Sequence, residues 1–305
     1  MKQRGLVFMG SKEGGLRAAR RLADLLPPGT LQAITCPDDQ SDRRSVSLDF
    51  ENLSREREIP IYTVRNAEET NVVIRTYQPS VVIVHGWYRS IPVLDFPDTR
   101  FFGFHYSPLP RYRGHAPLVW QIINGEERLA VSFFVLTERM DEGDLLDQRY
   151  FQISNEENVS DALDKASVLV DQMLEFFVTR GKTDRVVLTH QPHEEPSYCG
   201  LRLPDDGRIN WKQPSPQVHN FIRAQSSPYP GAYSLMPDGR KLTIWKTILE
   251  QRKFFGHPGS VVEIGDPHVV IACGVGAVRI LRAQVDGSTE QAPRVILNSS
   301  KVRLT

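Results

Sequence analysis

The chain has 305 residues, 40% of them apolar and 24% charged, an ordinary composition for a water-soluble globular protein with room for two modest cores. Its 37 basic and 37 acidic side chains cancel, which argues against a global field that would gather nucleic acid. Cys36, Cys199 and Cys273 are odd in number and far apart, so neither a disulfide framework nor a metal-ligand spacing is present, and no metal is expected.

The apolar run 5–9 is too short for a signal core and is followed at once by Ser11, Lys12 and Glu13. No stretch approaches the length of a bilayer span, so a soluble, cytoplasmic protein without membrane contact is expected. The same run reads as a first strand, ending in Gly10-Ser11. Residues 13–26 then place Leu16, Ala19, Leu22, Leu25 and Leu26 at helical spacing. Residues 30–35 and 59–64 read as further strands. Residues 80–84 (SVVIV) form a β-branched run of the kind buried on both faces of a parallel sheet. A helix over 117–124, a strand over 130–136 and a long amphipathic helix over 160–179 complete the first part.

This alternation predicts an open, mostly parallel α/β sheet with its site at the carboxyl ends of the strands. Residues 190–204, rich in Pro, Glu and polar side chains, read as a surface linker, and His190 and His193 there lack metal-ligand partners. Beyond it, 220–224 reads as a helical turn. Short runs at 233–236, 242–245, 260–264, 269–273 and 277–281 predict a small antiparallel β-barrel. The division expected is 1–189, a linker 190–204, and 205–305.

Chemistry concentrates between Phe102 and Gln148. His105 ends an apolar run and precedes Ser107-Pro108-Leu109-Pro110, a segment that continues neither strand nor helix, so its imidazole is held at the open edge of the sheet. Asp141 follows the next apolar strand, in the turn 140–144, and neighbouring strand ends would bring the two side chains together. Pattern alone does not choose between Asp141 and Asp144, and a satisfied structural histidine is the commoner meaning of such a residue. Trp120, Trp211 and Trp245 read as core. His85, before Gly86 at a strand end, reads more readily as structural than functional. Gly10, Gly14 and Gly15 do not make a dinucleotide fingerprint and fit a plain helix start.

The residues His105, Ser107, Leu109, Pro110, Tyr112, Arg113, Gly114, Pro117, Trp120, Asn124-Gly125-Glu126, Asp141, Gly143 and Asp144 resemble the signature of the 10-formyltetrahydrofolate-dependent formyltransferases. Residues 79–91 resemble that family's pteridine-contacting strand and loop. Pro204-Asp-Asp206, Trp211, His219-Asn220, Arg223-Ala224 and Pro230-Gly231-Ala232 resemble its C-terminal, OB-like barrel.

The resemblance implies a Rossmann-like formyltransferase fold, 10-formyltetrahydrofolate as the formyl donor, and His105 and Asp141 as the catalytic pair. It also implies a folate seat from Trp87, Tyr88, Arg89, Ser90, Ile91, Met140, Gly143 and Asp144, with Ser107, Arg113 and His115 toward the acceptor. The family's usual Asn two positions before the histidine is Gly103 here, and Pro108 replaces a Leu. One oxyanion donor is thereby missing, a loss that typically costs about 100- to 1,000-fold in rate unless another group substitutes.

The acceptor ranked first is a small amine, a nucleotide-linked amino sugar, with a siderophore hydroxylamine as a variant. Methionyl-tRNA is ranked lower, because residues 36–49 set Arg43 and Arg44 against Asp38, Asp39, Asp42 and Asp49. Water, as in the hydrolase domain of 10-formyltetrahydrofolate dehydrogenase, and a non-catalytic folate or nucleotide binder are the remaining alternatives. Assembly into a homodimer stays open.

Overall fold

A computed structural model describes residues 5–42, 44–180, 187–192 and 195–305. Arg43 and His193 therefore lie outside the described residues. The chain forms β1 (Leu6–Gly10), α1 (Lys12–Leu25), β2 (Leu31–Pro37), α2 (Ser47–Arg57), β3 (Ile61–Val64), α3 (Ala67–Tyr77), β4 (Val81–His85) and β5 (Arg100–His105). A short β6 (Arg113–Gly114), α4 (Pro117–Ile123), β7 (Arg128–Val135), β8 (Leu145–Gln152), α5 (Val159–Arg180) and β9 (Tyr198–Cys199) follow. The remainder is α6 (Ser215–Arg223), β10 (Ala232–Leu235), β11 (Lys241–Glu250), β12 (Val261–Ile264), β13 (Val269–Ala272), β14 (Ala277–Val285) and α7 (Pro293–Ile296).

Two compact units result. One contains Met1–Gly114, Ala130–Phe151 and Leu163–Tyr198; the other contains His115–Leu129, Gln152–Ala162 and Cys199–Thr305. The units interleave along the chain, unlike the linear division expected above.

The first unit holds a seven-stranded sheet in the order β3-β2-β1-β4-β5-β7-β8. Strands β1 to β5 are mutually parallel, and β5 pairs with β7 antiparallel. Chain order reverses between β1 and β4, which makes their carboxyl ends the switch point where open α/β sheets bind ligands. Both faces of the sheet are buried, as the continuous apolar runs require. On β1, Leu6 and Phe8 join one core cluster with Leu22, Phe133 and Met173, while Val7 and Met9 join another with Val73, Val82 and Phe101.

Sequence pattern did not announce α2, α3 or β8. In α2 only Ser47, Phe50 and Leu53 are buried, too sparse a stripe to show a period. Helix α3 is set by its start: the Asn66 side chain accepts the Glu69 N–H at 2.9 Å, and Glu68 and Glu69 complement the helix N-terminus. Strand β8 is a half-exposed outer strand rich in polar residues.

The second unit is built on an antiparallel sheet in the order β10-β11-β14-β13-β12. Its core gathers Trp211, Ile222, Ile244, Ile271, Ile280 and Leu304. This antiparallel sheet is the small C-terminal β domain expected from the sequence, and among the described residues no ladder joins β10 to β12. The helical turn expected at 220–224 is the last part of α6, which starts at Ser215 behind Pro214 with Pro216 in its first turn. Proline is tolerated there because first-turn amides have no intrahelical acceptor. Trp211 is core and donates to Ser234 Oγ at 2.9 Å. Trp120 and Trp245 are half-buried instead, donating to Gly200 O at 3.0 Å and Gln284 Oε1 at 3.2 Å.

Candidate active site

Because β5 runs parallel to β4, with Gly103 opposite Val84, His105 emerges at the carboxyl edge of the sheet. Its side chain is 9% exposed. The Nε2 atom lies 2.7 Å from Tyr112 O; a carbonyl only accepts, so this nitrogen donates. The Nδ1 atom faces Asp141 Oδ2 at 3.6 Å, too far for a hydrogen bond. The same Asp141 oxygen accepts the Gly114 N–H at 2.7 Å.

The pair is thus brought together, though not by adjacent strand ends. Strand β7 runs antiparallel to β5, placing Ser132 opposite His105 and sending the chain away from it. Asp141 returns in the loop between β7 and β8, closed by Val135 N–H donating to Asp144 O at 2.9 Å. Asp141 takes a left-handed conformation (φ +57°), which aspartate tolerates better than most residues. Gly143 is indispensable to this return: a Cβ there would lie 1.8 Å from Val135 O.

Gly103 shares the His105 face of β5, two residues away, and the space its Cβ would enter is filled by Leu136, whose Cδ2 lies 2.7 Å from that position. Beside it, a cavity of about 490 Å³ is lined by Val93, Phe96, Phe101, Leu136, Glu138 and Arg139. Trp87 carries a buried indole N–H with no acceptor among the described residues. Tyr88 and Ser90 are exposed, and Ile91 packs on the cluster containing Val84 and Phe96. Arg89 donates to Val64 O at 2.7 Å and covers the Tyr88 ring at 5.7 Å. Met140 is exposed, and Asp144 meets His190 Nδ1 at 2.8 Å.

The residues expected on the acceptor side fare differently. Ser107 is fully buried and donates to Arg111 O at 2.7 Å, so its hydroxyl is committed inside the Pro-rich turn. Arg113 is 1% exposed; its Nη2 donates to Gln191 Oε1 at 2.8 Å and its Nη1 lies 3.3 Å from Glu142 Oε1. Neither faces an open surface, because the turn after β5 folds inward and brings polar partners with it. His115 is exposed and belongs to the other unit.

Three sets of contacts are not legible in the sequence. Gln191, in the stretch taken for a surface linker, is fully buried against the Asp141 loop. His85 is buried and joined through Nε2 to Tyr106 Oη at 2.8 Å; burial pushes its pKa down to about 4. At the first turn of α1, Lys12 pairs with Asp39 and, at 2.8 Å, with Asp42, and sits 5.9 Å over the Tyr88 ring. Arg44 pairs with Asp42 at 2.9 Å and, with Lys12, holds that carboxyl well below the usual range.

An open α/β sheet with a histidine–carboxylate pair at its carboxyl edge is the frame of an enzyme. Residues 40–174 match the model described as Formyl transferase, and residues 203–301 match that described as Formyl transferase, C-terminal domain. A methionyl-tRNA formyltransferase of Caldanaerobacter subterraneus subsp. tengcongensis is 30% identical over 96% of this chain and 96% of its own. HypX of Aquifex aeolicus, solved with tetrahydrofolic acid, superposes at a TM-score of 0.65 and 21% identity, over 97% of this chain and 47% of that one. This chain therefore spans about half of HypX. An N-formyltransferase of Helicobacter canadensis, solved with folinic acid and dTDP-3-aminofucose, superposes at 0.67 and 18% identity, over 92% and 99%. The chain belongs to the formyl transferase family. Among the described residues no helix is long and apolar enough to cross a membrane.

Proposed function

We propose that this enzyme moves a formyl group from 10-formyltetrahydrofolate to the amino group of a small acceptor, a nucleotide-linked amino sugar. The observation that carries the reading is the approach of His105 Nδ1 to Asp141 at the sheet edge. The buried Trp87 indole N–H, without an acceptor among the described residues, suits a heteroaromatic ring with polar edges. Trp87, Tyr88, Ile91 and the backbone of 140–144 would hold the pteridine.

When bound, 10-formyltetrahydrofolate supplies the formyl carbon. His105, its Nε2–H donated to Tyr112 O, stabilises the oxygen that gains charge as the amine nitrogen adds by acting as the imidazolium, which carries the Nδ1–H that the neutral ring in this tautomer lacks. Asp141 keeps the imidazole in that orientation, and a water held between the two relays the amine's proton to the folate nitrogen as its bond to the formyl carbon breaks and tetrahydrofolate leaves. Gly103 contributes no side-chain donor, so His105 is the principal stabiliser of the oxyanion.

A small acceptor is favoured by the way the cations around the loop after β2 are used. Among the described residues, Lys12 of α1 and Arg44 are neutralised by Asp39 and Asp42 of that loop, which leaves little of their charge for a phosphate backbone. The second reading, methionyl-tRNA as acceptor, is supported by the name of the Caldanaerobacter relative.

The test is to supply 10-formyltetrahydrofolate with dTDP- and UDP-linked amino sugars, with charged initiator tRNA, and with no acceptor, following product mass and tetrahydrofolate release. N-formylated sugar is expected. Formyl-methionyl-tRNA would establish the second reading, and equal tetrahydrofolate release without any amine would establish hydrolysis.

A further inference from the structure

We infer that Gln191 is a positioning residue for formyl transfer, one that fixes the Asp141 carboxylate against His105 by clamping the backbone of residues 141–143. The inference rests on the roles given to His105 and Asp141 above.

A primary amide offers two N–H donors and one acceptor oxygen, and here all three are used. The Gln191 Nε2 group donates to Asp141 O at 2.9 Å and to Gly143 O at 2.7 Å. Its Oε1 accepts from Arg113 Nη2 at 2.8 Å. Arg113 in turn approaches Glu142 at 3.3 Å, so three consecutive residues of the loop are held from the interior. Gln191 is 0% exposed, so its amide holds these carbonyls from the interior.

The loop needs such a clamp. Asp141 sits at φ +57°, a conformation that persists only where its surroundings over-determine it. The Gly114 N–H fixes the carboxylate end of the residue and Gln191 fixes its carbonyl end. With both ends held, the side chain has one direction in which to point, toward His105. Removing the second hold leaves the carboxylate free to swing about the first. An ionised glutamate would fill the same space and satisfy Arg113, yet would turn acceptor oxygens toward two carbonyls.

Gln191→Leu and Gln191→Glu test this, each assayed below its melting transition with the fold verified by near-ultraviolet circular dichroism. Expected is a fall in kcat of about 10- to 100-fold, with KM for the acceptor within about threefold. In an Asp141→Asn background, followed in single turnover, either change should cost less than about threefold more, because the group being positioned is already lost. A crystal structure of Gln191→Glu should show Asp141 Oδ2 displaced from its 3.6 Å approach to His105.

Unchanged kcat in a folded variant, or a full additional loss in the Asp141→Asn background, overturns the inference. So does failure of both variants to fold, since the residue would then be purely structural. If the wild-type protein transfers no formyl group, the functional reading fails on its own, while the crystal structure still decides whether Gln191 holds Asp141.

Discussion

Replacing Gly143 by alanine strikes a point where the candidate active-site loop touches the sheet backbone. The new Cβ would lie 1.8 Å from Val135 O and 2.8 Å from Val135 C, and 3.1 Å from Thr137 Cγ2. Ordinary contact begins near 3.4 Å, so the backbones must part by roughly 1.6 Å, and a strand carbonyl cannot rotate away as a side chain can. The same shift breaks the Val135 N–H to Asp144 O bond of 2.9 Å and pulls Gly143 O off Gln191. Overpacking of this kind costs about 1–3 kcal/mol of stability. A displacement of about 1 Å in a reacting group costs about 100-fold in rate. Steady-state formyl transfer and urea denaturation of Gly143→Ala should therefore show both losses. A variant within about twofold of wild-type kcat would refute the claim that this loop's backbone sets the position of Asp141.

Two further outcomes follow from buried groups. His85 has a native pKa near 4 against 6.5 unfolded, so the unfolded chain takes up the proton first as pH falls. Its contribution is intact above pH 6.5 and is lost toward pH 4, by roughly 2–3 kcal/mol at pH 4.5. Unfolding free energies at pH 7 and 4.5 should fall less for His85→Gln than for wild type; parallel profiles would contradict this. Arg113→Met removes a buried guanidinium from Glu142 and Gln191 and should cost about 3 kcal/mol in denaturant unfolding, whereas a loss under about 1 kcal/mol would show that these contacts are idle.

What the sequence made legible was whatever depends on local pattern. The apolar runs of β1 and β4 and the periodic stripe of α1 declare themselves because each is buried on a full face. The pairing of His105 with Asp141 was legible from position and resemblance, but its route was not: strand direction is a property of the sheet, and β7 turned out antiparallel. Ser107 and Arg113 were expected on the acceptor side from their place in the resemblance, close to His105 in sequence. Their burial depends on Arg111, Glu142 and Gln191, contacts that no spacing encodes. Gln191 gave no signal at all, since one glutamine among prolines and glutamates looks like solvent-facing loop. Helix α2 and strand β8 stayed hidden because their apolar stripes are thin.

The most direct measurement is the rate of tetrahydrofolate release from 10-formyltetrahydrofolate at saturating amine, compared between wild type and His105→Ala with the fold verified. A loss of at least about 100-fold is predicted, because no side chain at Gly103 shares the work of stabilising the oxyanion. An unimpaired rate in the folded variant would contradict the placement of formyl transfer at this histidine.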